Sequence, residues 1–175
     1  NAFITGIAVG SIANTTSAEG VTVKNNMVRL GINGLGSSIT DGLFITGIEK
    51  NVTNAVNIFH NSVYIGGSGV ATYSSNTFAF RRTVAAAAGQ DDVRNNIFTN
   101  ERSNSGSTGI HFGAVYNDAT NLLSDYNLYY TPNSGGSTGS YDGGVTPANT
   151  IAALSTASGT GQESNSISGN PLFLN

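Results

Sequence analysis

The chain has 175 residues, no cysteine and a formal net charge of −3, which excludes a disulfide framework and any thiolate metal site. Charged residues make up 10% of it, against roughly 25% in an ordinary globular domain, while Gly, Asn, Ser and Thr together supply about half. A weakly acidic chain of this kind carries no nucleic-acid footprint, and it holds no apolar run of roughly 18 residues that would cross a membrane.

From the first residues onward the chain repeats itself. The hexapeptide AFITGI at 2–7 returns as LFITGI at 43–48. Each copy is followed by a second element, seen as VKNNMVRL at 23–30, IFHNSVYI at 58–65, VRNNIFTN at 93–100 and SDYNLYYT at 124–131. These four align on Asn26, Asn61, Asn96 and Asn127, at steps of 35 (61 − 26), 35 (96 − 61) and 31 (127 − 96) residues. A period in this range marks a solenoid or a propeller. The apolar residues alternate, with Val23, Val28 and Leu30 on one side and Lys24 and Arg29 on the other, then Ile58, Val63 and Ile65 against Phe59 and Tyr64. That is the signature of a strand with one buried face, and no window shows helical periodicity. The alternation breaks at the Asn-Asn or His-Asn pair, where asparagine tolerates a left-handed backbone. The expected architecture is therefore all-β: a right-handed parallel β-helix of about five coils.

Coils stacked at about 4.8 Å place the register asparagines above one another. A buried amide without a partner costs roughly 1–3 kcal/mol, so such a column must bond along itself. The expected ladder is Asn26, Asn61, Asn96, Asn127 and, 43 residues further on (170 − 127), Asn170. The regularly spaced apolar residues argue against the disorder that the polar composition alone would suggest.

Between these elements lie the chemistry-bearing residues. Arg81-Arg82 is too small a basic patch to bind nucleic acid. Asp91-Asp92, after the AAAAG run at 85–89, is expected in a turn as a solvated cluster with Arg94. His60 reads as a turn residue, and His111 lies in the strand GIHFGAVY at 109–116. Residues 131–149, rich in Gly, Ser, Thr and Pro, form an exposed excursion. A short helix over 150–158 follows, with Thr150 or Asn149 as N-cap, and 161–175 returns to strand character. The sequons at Asn14 and Asn51 read as chance occurrences in an Asn- and Thr-rich chain.

The segment SDYNLYY at 124–130, followed by ALSTASGTGQESNSISGNPLF at 153–173, resembles the closing coils of bacterial right-handed parallel β-helix proteins of the pectate-lyase-like superfamily. The coils with NNIF and HNSVY are similar to its repeats. Glu163 replaces the aspartate usual in that segment. The resemblance implies a secreted or cell-surface bacterial protein, with carbohydrate or other surfaces as partners. It does not imply an activity, since the scaffold carries lyases, hydrolases, adhesins and passive stalks.

Two outer columns bear on function. Lys24, Phe59, Arg94 and Asp125 stand two residues before the register asparagines, and Arg29, Tyr64, Thr99 and Tyr130 three after them. Aromatic faces with hydrogen-bonding groups suit sugar rings, and Lys or Arg suits an acidic glycan. Lys24, Arg29, Phe59, Tyr64, Arg94 and Tyr130 are therefore the candidate glycan contacts, although such residues are also ordinary on an outer strand face.

The functional expectation is a structural or adhesive extracellular module: one domain over 1–175, a piece of a larger exported protein, stacking end to end on neighbouring domains or identical subunits. The alternative is a carbohydrate-active enzyme, lyase before hydrolase, working along Lys24, Arg94 and Asp125. No cofactor or metal is expected for the module; Ca²⁺ near Asp91, Asp92 and Asp125 belongs to the lyase alternative. A trimeric phage receptor-binding spike is a third reading of the same fold.

Overall fold

The structure, a computed structural model, describes residues 2–10 and 20–173, so the sequon at Asn14 lies outside the described residues. Three strands make each turn of a parallel β-solenoid. The first turn holds β1 (Phe3–Val9), β2 (Val21–Lys24) and β3 (Met27–Leu30); the second β4 (Phe44–Lys50), β5 (Val56–Phe59) and β6 (Ser62–Ile65). The third holds β7 (Thr77–Arg82), β8 (Asp91–Arg94) and β9 (Ile97–Asn100), and the fourth β10 (His111–Tyr116), β11 (Leu122–Asp125) and β12 (Leu128–Tyr130). A last, partial turn has β13 (Gly136–Ser140), helix α1 (Ile151–Ser158) and β14 (Ile167–Ser168). Four turns are thus complete; in the fifth α1 follows β13 and packs on it, and Gln162 and Glu163 bond the outer edge of β11 in place of a middle strand.

The repeats stack in register. One sheet runs β1-β4-β7-β10-β13, a second β2-β5-β8-β11 and a third β3-β6-β9-β12-β14. Within them Val23, Ile58, Val93 and Ser124 form one inward column, and Val28, Val63, Phe98 and Tyr129 another. The filling changes along the axis. Val56, Ile58, Val63 and Ile65 pack the second turn, while Phe80, Phe98, Tyr116, Tyr129 and Tyr141 fill the later ones. Phe80 stacks on Phe98 at 5.5 Å and Tyr116 on Tyr141 at 4.7 Å. The recurrent Thr-Gly of the hexapeptide has a packing cause. A Cβ on Gly47 would lie 2.3 Å from Val63 Cγ1 and 2.5 Å from the Ala79 carbonyl oxygen, so only glycine fits there.

The bend between second and third strands is made by the residue preceding each ladder position. Asn25, His60, Asn95 and Tyr126 take φ of 59°, 53°, 57° and 56°, the left-handed region that asparagine enters most readily. The ladder asparagine then turns inward. Asn26 Nδ2 donates to Asn61 Oδ1 at 2.9 Å, Asn61 Nδ2 to Asn96 Oδ1 at 3.0 Å and Asn96 Nδ2 to Asn127 Oδ1 at 3.1 Å. Asn170 is not the next rung. The Asn127 backbone N–H donates instead to Ser166 Oγ at 2.9 Å, and exposed Asn170 accepts from the Leu172 N–H beyond β14. The partial turn, which carries α1, reaches the ladder position after 39 residues (166 − 127), four before Asn170 (170 − 166).

Two further expectations are corrected. The 131–149 segment is no loose excursion, since its centre is β13, paired with β10. Asp91 and Asp92 do not lie in a turn but open β8 and face opposite ways: Asp91 is buried, Asp92 half-buried. The short helix expected over 150–158 is present as α1, and it packs on the core at the C-terminal end of the solenoid. Thr150 caps α1 by accepting from the Ala153 N–H at 3.1 Å, Gly159 ends it in the left-handed region, and Leu154 is fully buried in the core.

Candidate functional site

Stacking puts the two outer columns where the repeat predicts them. Lys24, Phe59, Arg94 and Asp125 are register partners across the second sheet, and Arg29, Tyr64, Thr99 and Tyr130 across the third. Their environments differ sharply. In the first column Lys24 is exposed. Arg94 lies 5.8 Å from the Phe59 ring centroid and grips Asp92 through two bonds, Nε to Oδ1 at 2.6 Å and Nη2 to Oδ2. Asp125 is nearly buried. It accepts from the backbone N–H groups of Tyr126 and Asn165 at 2.9 and 2.7 Å and from Asn165 Nδ2 at 2.7 Å. Burial pushes its carboxyl upward, but these bonds together outweigh it and hold the group below its ordinary range.

The second column carries the groove. A cavity of about 640 Å³ opens on the outer side of the third sheet, lined by Arg29, Ser38, Tyr64, Ser68, Glu101 and Asn133 among others. Tyr64 forms its wall. A Cβ on Gly66 would lie 2.8 Å from the ring, and Phe173 meets it edge-on at 6.1 Å, so the ring is wedged. Its hydroxyl donates to Glu101 Oε2 at 3.3 Å. Partial burial, followed by the Glu101 charge, raises the phenol above its ordinary value, while Arg29 opposes the shift. Asn133 reaches in from the loop before β13, its Nδ2 donating to the Glu101 carbonyl at 2.6 Å. One aromatic face, one cation, one carboxylate, serine hydroxyls and an amide therefore converge on one concave surface.

Of the six residues proposed to contact glycan, Arg29 and Tyr64 line this groove; Lys24, Phe59 and Arg94 stand on the neighbouring sheet, and half-buried Tyr130 lies further along the third. Thr99, in the same column, is fully buried, and its hydroxyl has no partner among the described residues. Phe173, which follows β14, meets Tyr64 on β6, two strands beyond β12 in the same sheet. Glu101, Ser38, Ser68 and Asn133 were not anticipated. They sit in loops, where the repeat carries no signal.

The remaining candidates are structural. Asp91, 2% exposed, accepts from Lys50 Nζ at 3.0 Å, Arg82 Nε at 2.7 Å and the Val56 N–H at 2.9 Å. Burial lowers the Lys50 ammonium against the attraction of Asp91. Arg81 points the other way, over the rings of Phe44 and Phe78 at 5.1 and 5.0 Å. His111 is wholly buried, with Nδ1 2.9 Å from Thr77 Oγ1 and Nε2 2.9 Å from Asn104 Oδ1. Burial, then the Arg102 charge, lowers it to about 4. His60 is a bend residue, and Asn51 accepts from Thr83 Oγ1 at 2.9 Å. Glu163, fully buried, accepts from Tyr129 Oη at 2.8 Å and from Tyr116 and Tyr141 at 3.4 Å each. Among the described residues no group of three or more His, Cys, Asp or Glu side chains is placed to hold a metal ion, and no helix is long and apolar enough to cross a membrane.

Comparison of the chain with protein-family models, with curated proteins and with solved structures returned no match.

Proposed function

We propose that this chain is a structural, adhesive module of an extracellular bacterial protein, and that it touches carbohydrate through the groove beside Tyr64. The observation that carries the reading is the groove: a wedged aromatic face next to Arg29 and Glu101, with serine and asparagine side chains around it. Sugar rings present apolar C–H faces to an aromatic ring and hydroxyls to polar neighbours, and Arg29 adds a guanidinium suited to a uronate or sulfate. The solenoid holds Arg29 and Tyr64 on rigid strands, and the resemblance of 124–130 and 153–173 to bacterial β-helix proteins supports an exported setting. The enzymatic alternative draws on Lys24, Arg94 and Asp125, of which Arg94 is tied to Asp92 and Asp125 is engaged by Asn165 and Tyr126.

The test is a glycan array followed by calorimetry with the best acidic and neutral oligosaccharides. Tyr64→Ala is expected to weaken binding about tenfold, and Arg29→Ala to weaken acidic ligands selectively. Absence of binding, or affinities indifferent to Tyr64→Ala, refutes the proposal.

A further inference from the structure

The asparagine ladder has a direction, and its two ends are finished differently. At every internal rung one Oδ1 receives two donors from the preceding turn. Asn61 Oδ1 accepts from the Asn26 N–H at 3.1 Å and Nδ2 at 2.9 Å. Asn96 Oδ1 accepts from the Asn61 N–H and Nδ2 at 3.0 Å each, and Asn127 Oδ1 from Asn96 at 3.0 and 3.1 Å. The C-terminal end is terminated, because the Asn127 N–H donates to Ser166 Oγ and that hydroxyl donates to Glu163 Oε2. At the other end no described residue donates to Asn26 Oδ1. The same end leaves β1, β2 and β3 as the outer strands of their sheets and core-forming side chains in water, with Val21 41% exposed and Ile4, Ile7, Val28 and Leu30 only partly buried.

We propose that the β1-β2-β3 end is a docking surface for a parallel β-solenoid coil that carries an asparagine at the ladder position. Such a coil supplies what no described residue gives Asn26 Oδ1, a backbone N–H and a carboxamide NH₂ at one point. It also pairs the three outer strands and covers their apolar faces. A second copy of this chain does not fit. Head to head, Asn26 Oδ1 would meet another acceptor; head to tail, α1 and the inward-bonded Ser166 close the end that would have to donate. The inference is independent of the groove on the third sheet.

The experiment adds a synthetic peptide of residues 43–66, which is one coil bearing Asn61, to the intact chain, and reads calorimetry together with amide hydrogen exchange. The expected result is binding that slows exchange in β2 and β3, and that weakens about tenfold when the peptide carries Asn61→Asp, a side chain that accepts but does not donate. The proposal is overturned if neither peptide binds, if both bind equally, or if the chain alone associates through this end at high concentration by sedimentation.

Discussion

His111 illustrates what burial does to one side chain in this fold. It is neutral inside the solenoid, accepting at Nδ1 from Thr77 and donating from Nε2 to Asn104, and its value falls from 6.5 to about 4. The unfolded chain binds this proton more readily, so folding loses stability as pH drops from 6.5 toward 4 and nothing further from this group below that. The loss amounts to about 3 kcal/mol at most, at 1.36 kcal/mol per pKa unit. Urea unfolding of the parent and of His111→Gln across this window is expected to show a component present in the first and missing from the second. Parallel curves would contradict it. Asp91 and Asp92 make the complementary point. They are neighbours in the sequence, yet one balances Lys50 and Arg82 in the core and the other pairs with Arg94 outside.

At the scale of the strand and its bend, the ladder is the strongest local constraint. Asn96→Ala removes bonds to the Ile58 and Arg94 carbonyls and to Asn127, and leaves the buried Asn61 donors without their acceptor. The expected cost is about 3 kcal/mol or more, against about 1 kcal/mol for Asn26→Ala at the half-exposed first rung. Equilibrium denaturation of both variants checks the ordering, and equal costs would argue against a cooperative column. This element was legible in the sequence because a parallel stack forces identical positions to recur. The inward Val, Ile and Leu residues, the bends and the outer columns were legible for the same reason. What was hidden is what the repeat does not dictate. The hidden parts are β13 inside a Gly- and Ser-rich run, the direction in which Asp91 points, the substitution of Ser166 for an asparagine, and the loop residues Ser38, Ser68 and Asn133 beside Tyr64.

Over the whole molecule, stability must vary along the axis. Each turn contacts only its neighbours, as in other solenoids, and among the described residues the first turn has a neighbour on one side only, whereas the fourth carries β13 and α1 beyond it. Amide exchange is therefore expected to be fastest in Val21–Lys24 and Met27–Leu30 and slowest in the third and fourth turns; uniform protection would show that the chain unfolds as one unit. The unequal step between turns has a wider meaning. Rungs reached after 35, 35 and 31 residues close at nearly the same distance, so four residues can be gained or lost between turns without moving the strands. Tyr64 and Arg29 stand on those strands, while Ser38, Ser68 and Asn133 stand on the connections. Recognition can thus drift while architecture stays fixed: lineages, or engineers, can rewrite the groove's rim by loop exchange and leave its floor untouched.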